Sequence, residues 1–109
     1  MKEKYAVLYM HDGQMLFDSS ITWNKQSWHV DEVATKLMQQ KEVQKFIVVG
    51  IWNGGETRHA DYFPQKPFEN LTVTFQDSIY QHTQRSATQA LFAERIYSDA
   101  YLAFITPEL

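Results

Sequence analysis

Two uninterrupted apolar runs and one helical stripe organise the first half of this chain. Tyr5-Ala-Val-Leu-Tyr-Met10 is apolar at consecutive rather than alternate positions, the pattern of a strand covered on both faces. Residues 11–27 read as a loop, with Gly13, Ser19, Ser20 and Asn24 among them. From Trp28 the period becomes helical: Val30, Val33, Ala34, Leu37 and Met38 fall on one apolar stripe. Ser27 is the expected N-cap, and Asp31 and Glu32 sit near the positive end of that helix. Phe46-Ile-Val-Val-Gly-Ile-Trp52 is a second buried-strand run, rich in β-branched residues. Strand, helix and strand in this order predict a right-handed βαβ unit with a parallel sheet, so the fold class is α/β.

Beyond the second strand the pattern weakens. Asn53-Gly54-Gly55 ends the strand, and a loop is expected to run on to Pro67, with Pro64 and Pro67 opposing regular structure. Residues 68–96 carry the least signal, with a helix expected around Ala87–Arg95. Ser98 is a second expected N-cap, followed by a stripe of Leu102, Ile105 and Leu109 that Pro107 should kink or end. No internal repeat or low-complexity segment is present. A parallel strand pair with one or two helices has raw apolar edges, which points to a fragment or to an oligomer pairing through those edges.

Composition narrows the functional classes. At 109 residues the chain is at most one domain, small for an α/β enzyme. With 44% apolar and 15% aromatic residues it has enough material for a core. Ten basic and thirteen acidic residues, with no Lys/Arg cluster, argue against a nucleic-acid or anionic-membrane partner. The absence of cysteine removes disulfides, thiolate catalysis and cysteine-based zinc sites. Tyr5 to Met10 is too short for a signal h-region or a membrane span, so the expected location is cytoplasmic, with export open if the N-terminus is not native.

His11-Asp12-Gly13-Gln14 stands at the carboxyl end of the first strand, where α/β sheets place their functional loops. Gly13 would let the backbone turn so that successive N–H groups face one oxyanion. The competing interpretation is an ordinary strand-to-loop turn with His11 packed or hydrogen-bonded. A metal site from His11, Asp12, His59 and Asp61 has suitable ligand types but weak spacing. Asn53-Gly54-Gly55 lacks the Gly-Lys-Ser/Thr continuation of a phosphate loop, and no other cofactor motif is present. That lack of an anion-binding loop also disfavours a small flavodoxin-type fold.

These residues carry a resemblance. Val7-Leu-Tyr-Met-His-Asp-Gly-Gln14 followed by Leu16-Phe-Asp18 is similar to the oxyanion-loop region of one esterase branch of the α/β-hydrolases. That branch includes relatives of enterochelin esterase, feruloyl esterases and S-formylglutathione hydrolase. Trp28-His-Val-Asp-Glu32, Ile47-Val-Val-Gly-Ile51, Arg58, Asp61-Tyr-Phe-Pro64 and the segment from Ser98 to Leu109 follow in the same order, so the resemblance covers nearly the whole chain.

The resemblance implies a partial α/β-hydrolase fold, a small-molecule ester as substrate of the full-length form, and no cofactor. It assigns the backbone N–H groups of Gln14 and Gly13 as oxyanion donors. His11, Asp12, Trp23, Trp28 and Arg58 would line or support the substrate site. Core packing is the ordinary alternative for each tryptophan, and a weak surface ion pair is the alternative for Arg58 with Asp61.

The departure from the family is the nucleophile. Such hydrolases carry it in a Gly-x-Ser-x-Gly elbow. None of Ser19, Ser20, Ser27, Ser78, Ser86 and Ser98 lies between glycines, and all four glycines precede residue 56. The triad acid and base would follow that serine, beyond Leu109, and the strands that usually come first in such enzymes are also missing. The sequence thus reads as a middle slice of a serine esterase, inactive alone. Its rival is a non-catalytic oligomerising or binding module derived from the same fold. Substrate specificity lies largely in loops outside these residues.

Overall fold

The computed structural model describes residues 2–86, 89–92 and 95–108. They fall into two compact units, residues 1–53 and 54–109, and each has its own organisation.

The first unit is the expected βαβ arrangement. Strand β1 (Ala6–His11) pairs in parallel with β2 (Phe46–Ile51), in a register running from Ala6 opposite Phe46 to His11 opposite Ile51. Helix α1 (Val30–Gln39) connects them. It starts at Val30, the first residue of the stripe, but Ser27 is not its N-cap. That position belongs to His29, in the left-handed region at φ 53°, with no side-chain cap. The displacement has a backbone cause. Trp28 N–H donates to Met15 O at 2.8 Å and Val30 N–H to Leu16 O at 3.1 Å, tying the helix entry to the loop after β1. Ser27 Oγ instead accepts the His29 N–H at 3.4 Å.

The end of α1 is a Schellman turn built without glycine. Lys41 takes the left-handed conformation at φ 58°, its N–H donates to Met38 O, and Glu42 N–H donates to Leu37 O.

The expectation that both strands are covered on both faces is not met. Val7, Leu8, Tyr9 and Ile47 are between 42% and 50% exposed. A single helix can shield only one side of a sheet, and α1 leaves an apolar cleft of about 460 Å³ beside Tyr5, Met38, Phe46 and Ile47. The buried side chains of this unit sit mainly in the loop between β1 and α1: Met15, Leu16 and Thr22.

The second unit is helical where a loop was expected. Helices α2 (Arg58–Tyr62), α3 (Gln65–Glu69), α4 (Val73–His82) and α5 (Ser98–Glu108) follow one another. The prolines begin structure rather than prevent it. Pro64 is the N-cap of α3 and Pro67 its third residue, where a backbone N–H has no intrahelical acceptor to lose. Helix α4 is capped by Thr72, whose Oγ1 accepts from Phe75 N–H at 3.3 Å.

The helix expected around Ala87–Arg95 is absent from the described residues there. Gln84 and Ala90 instead form an antiparallel bridge, and Ala87, Thr88, Ala93 and Glu94 lie outside the described residues. Pro107 lies within the last turn of α5, while Leu109 of the expected stripe lies outside the described residues.

Ser98 and Gln65 cap each other's helices. Gln65 N–H donates to Ser98 Oγ at 2.9 Å, and Asp99 N–H donates to Gln65 Oε1 at 3.0 Å. Two orphan amides, one at each helix start, are satisfied by this exchange. The core beside it comprises Ala60, Phe68, Phe92 and Ile96, with Tyr80 set edge-on to Phe68 and Phe92. Among the described residues, no helix is long and apolar enough to cross a membrane.

The left-handed Lys41 is a site for improvement. Glycine adopts this conformation without the Cβ penalty, so Lys41→Gly should stabilise the protein by about 1 kcal/mol in urea denaturation.

Candidate functional site

The turn that follows β1 is built in three steps. Asp12 takes the left-handed backbone conformation (φ 56°, ψ 44°), one that Asp tolerates better than most residues. Gly13–Met15 then form a 3-10 turn, closed by Met15 N–H to Asp12 O at 2.8 Å. The amides of Gly13 and Gln14 open that turn, so their N–H groups have no acceptor within it.

Glycine is required at position 13 for a reason other than turning. The sharp backbone reversal belongs to Asp12. A Cβ on Gly13 would stand 2.7 Å from the carbonyl carbon of Gly50 and 2.9 Å from backbone atoms of Ile51. The loop therefore lies directly against the backbone of β2. Gly50 completes the approach, since a Cβ there would meet Gly13 Cα at 3.1 Å and Leu16 Cδ1 at 2.8 Å.

Asn53, just past the end of β2, locks the turn from the side. Its Nδ2 donates to Asp12 Oδ1 at 2.8 Å. Its backbone N–H donates to Gln14 Oε1 at 3.1 Å, and its carbonyl accepts from Gln14 Nε2 at a longer 3.5 Å. The Gln14 side-chain amide thus pairs with the Asn53 backbone as another peptide group would. Asp12 is 8% exposed, and this bond supplies a partner for a buried carboxylate. Asn53 was absent from the sequence-based site. An Asn just beyond the strand opposite a His-Asp-Gly-Gln turn was the available signal.

The structure brings His11, Asp12, Gly13 and Gln14 together at the end of β1, with His11 exposed opposite Ile51. Trp28 joins them through its backbone bond to Met15 O, but the residue is 50% exposed. Trp23 is 86% exposed, so neither tryptophan is a core residue. Arg58 belongs to the second unit, where its guanidinium lies over the Tyr62 ring, 5.2 Å from the centroid. Asp61 accepts a hydrogen bond from Thr57 Oγ1 at 2.9 Å. No group of three or more His, Asp or Glu capable of holding a metal occurs among the described residues.

Ser27 with His29 and Ser78 with His82 are in contact, and neither pair has the geometry of a nucleophile with its base. His29 Nδ1 faces both Ser27 Oγ at 3.3 Å and Glu32 Oε1 at 3.4 Å. A triad needs the serine and the acid on opposite ring nitrogens. His82 Nδ1 lies 3.3 Å from Ser78 Oγ but 2.8 Å from the Ser78 carbonyl oxygen. A proton shared with that carbonyl leaves this nitrogen unable to accept one from the hydroxyl.

Further along the loop, hydrogen bonds from Ser20 hold the Asp18 carboxyl below its ordinary value. A lowered folded-state value means that the contribution of these hydrogen bonds is fully present above the ordinary carboxylate range and lost as pH falls through the lowered value. The Ser20 amide resonance should report that transition in an NMR titration. A substitution series tests the close approach. Gly13→Ala should destabilise the protein by about 1–3 kcal/mol in urea, because backbone must move. Gly50→Ala should cost less, because its nearest obstacle is the terminal methyl of Leu16.

Comparisons with family models, with curated proteins and with solved structures return no match to this chain.

Proposed function

We propose that this chain supplies the oxyanion-hole loop of a serine carboxylic-ester hydrolase of the α/β-hydrolase type. The observation that carries the reading is the pair of successive amides, Gly13 and Gln14, opening a turn at the carboxyl end of a parallel strand and pinned there by Asn53. In the complete reaction a His-activated serine attacks the ester carbonyl and forms an acyl-enzyme. Charge then develops on the carbonyl oxygen, and preorganised N–H donors stabilise it without reorganising. These residues contribute such donors. On this reading the serine, its base and its acid come from outside the 109 residues, which is supported by the lack of a Gly-x-Ser-x-Gly and by the geometry at His29 and His82.

A second reading, an oligomerising or binding module, is favoured by one specific observation. Half-exposed Val7, Leu8, Tyr9 and Ile47 lie on a two-stranded sheet whose outer edges have no partner strand among the described residues. A concentration-independent monomer in sedimentation would remove that reading.

For the oxyanion loop, titration with a small alkyl phosphonate should shift the Gly13 and Gln14 amide resonances first, with affinity of about 1 mM. The chain alone should give no burst with a p-nitrophenyl ester. Phosphonate shifts confined to other residues, or a burst abolished by replacing one of the six serines, would contradict the assignment.

A further inference from the structure

The clamp contains a reactive dipeptide. Asn53 is followed by Gly54, and a glycine offers its amide nitrogen to the preceding Asn side chain with the least steric hindrance. We propose that Asn53 is a deamidation site whose rate is set by the Asp12–Gln14 clamp, and that its modification irreversibly releases the turn after β1. The inference stands on the clamp and does not depend on ester hydrolysis.

The chemistry requires no partner beyond water. Base removes the Gly54 amide proton, and that nitrogen attacks Asn53 Cγ. The new N–Cγ bond closes a succinimide, the Cγ–Nδ2 bond breaks, and Nδ2 leaves as ammonia with its own two protons and the one that base took from Gly54. Water then opens the ring at either carbonyl, giving aspartate or isoaspartate at position 53.

Two features of the folded turn oppose the attack. The backbone of Asn53 must rotate to bring Gly54 N behind Cγ, yet its N–H and carbonyl are both held by the Gln14 side chain. The Asp12 carboxylate, accepting from Nδ2 at 2.8 Å, also disfavours the negative charge that builds up at Cγ during attack. Asn53 is part-buried while Gly54 is exposed, so water and base reach the peptide bond once the clamp opens.

Either product breaks the clamp at Asp12. A carboxylate replaces the amide that donated to Asp12, placing two like charges where a hydrogen bond stood. Isoaspartate also lengthens the backbone by a methylene, so Gln14 can no longer meet both the N–H and the carbonyl. The turn that carries Gly13 and Gln14 loses its side support, and the change cannot reverse.

The test follows modification of the full chain in mildly alkaline buffer, by peptide mapping that separates aspartate from isoaspartate. Three samples are compared: the folded protein, the protein in denaturant, and folded Gln14→Ala. Conversion at Asn53 should be slowest in the folded protein, and Gln14→Ala should speed it about tenfold, the factor expected from loosening modest hydrogen bonds. Equal rates in the folded and denatured protein would overturn the proposal, as would a folded Gln14→Ala rate no faster than that of the native chain. Asn53→Asp provides a second readout. Its carboxyl faces Asp12, so its folded-state pKa is raised and the turn is retained at low pH and lost as pH rises through that value. Amide exchange at Met15 should therefore accelerate toward neutral pH beyond the ordinary base dependence seen in the native chain. Unchanged Met15 protection across that range would contradict release of the turn.

Discussion

Two backbones touch where the turn after β1 crosses β2, and this contact sets the geometry of the first unit. Gly13 lies so near the carbonyl carbon of Gly50 and the peptide of Ile51 that any side chain would force backbone apart. Because strands approach this closely only where side chains are missing, the turn is carried across the end of the sheet rather than out into solvent. Asn53 then meets Asp12 and Gln14, and Trp28 and Val30 hydrogen-bond back to Met15 and Leu16. The start of α1 is therefore fixed by the turn, which explains an unassisted left-handed residue at its N-cap. A strained backbone persists when its surroundings over-determine it.

Rigidity of this kind matters to the proposed chemistry. An oxyanion donor is useful only if its N–H already points where charge will develop. Here the side-chain amide of Gln14 anchors the turn while its backbone amide remains at the turn's opening. In the proposed chemistry one residue would serve both support and donation. The same economy makes the site fragile, since the bonds to Asp12 and to Gln14 both depend on the single residue Asn53.

The sequence pattern made the first unit legible and the second largely illegible. Consecutive apolar residues at 5–10 and 46–52 located both strands to within a residue, and the stripe from Val30 located α1, because those periods arise from backbone geometry. Burial was misjudged: an apolar run identifies a strand that prefers cover, whereas cover depends on what packs against it. The short helices α2 and α3 are too brief to show a period, and Pro64 and Pro67 occupy the N-cap and third position of α3, where proline does not oppose a helix. Helix α4 was missed because Val73 and Phe75 are exposed and leave no clear stripe. Within the site, His11 to Gln14 were readable as a turn, but the true reason for Gly13 and the part played by Asn53 depend on contacts between segments about forty residues apart, which no local pattern encodes.

The exposed strand faces and the well-anchored turn belong together. A sheet of two parallel strands is stabilised poorly by its own ladder, so the contacts across its carboxyl end contribute heavily to holding β1 beside β2. Nuclear Overhauser contacts in solution test this most directly. The account predicts strong cross-peaks from the Gly13 α protons to the Gly50 α protons and to the Ile51 amide, alongside the ladder contacts between β1 and β2. Ladder contacts without any Gly13–Gly50 cross-peak would contradict it, because the sheet would then form with its turn undocked.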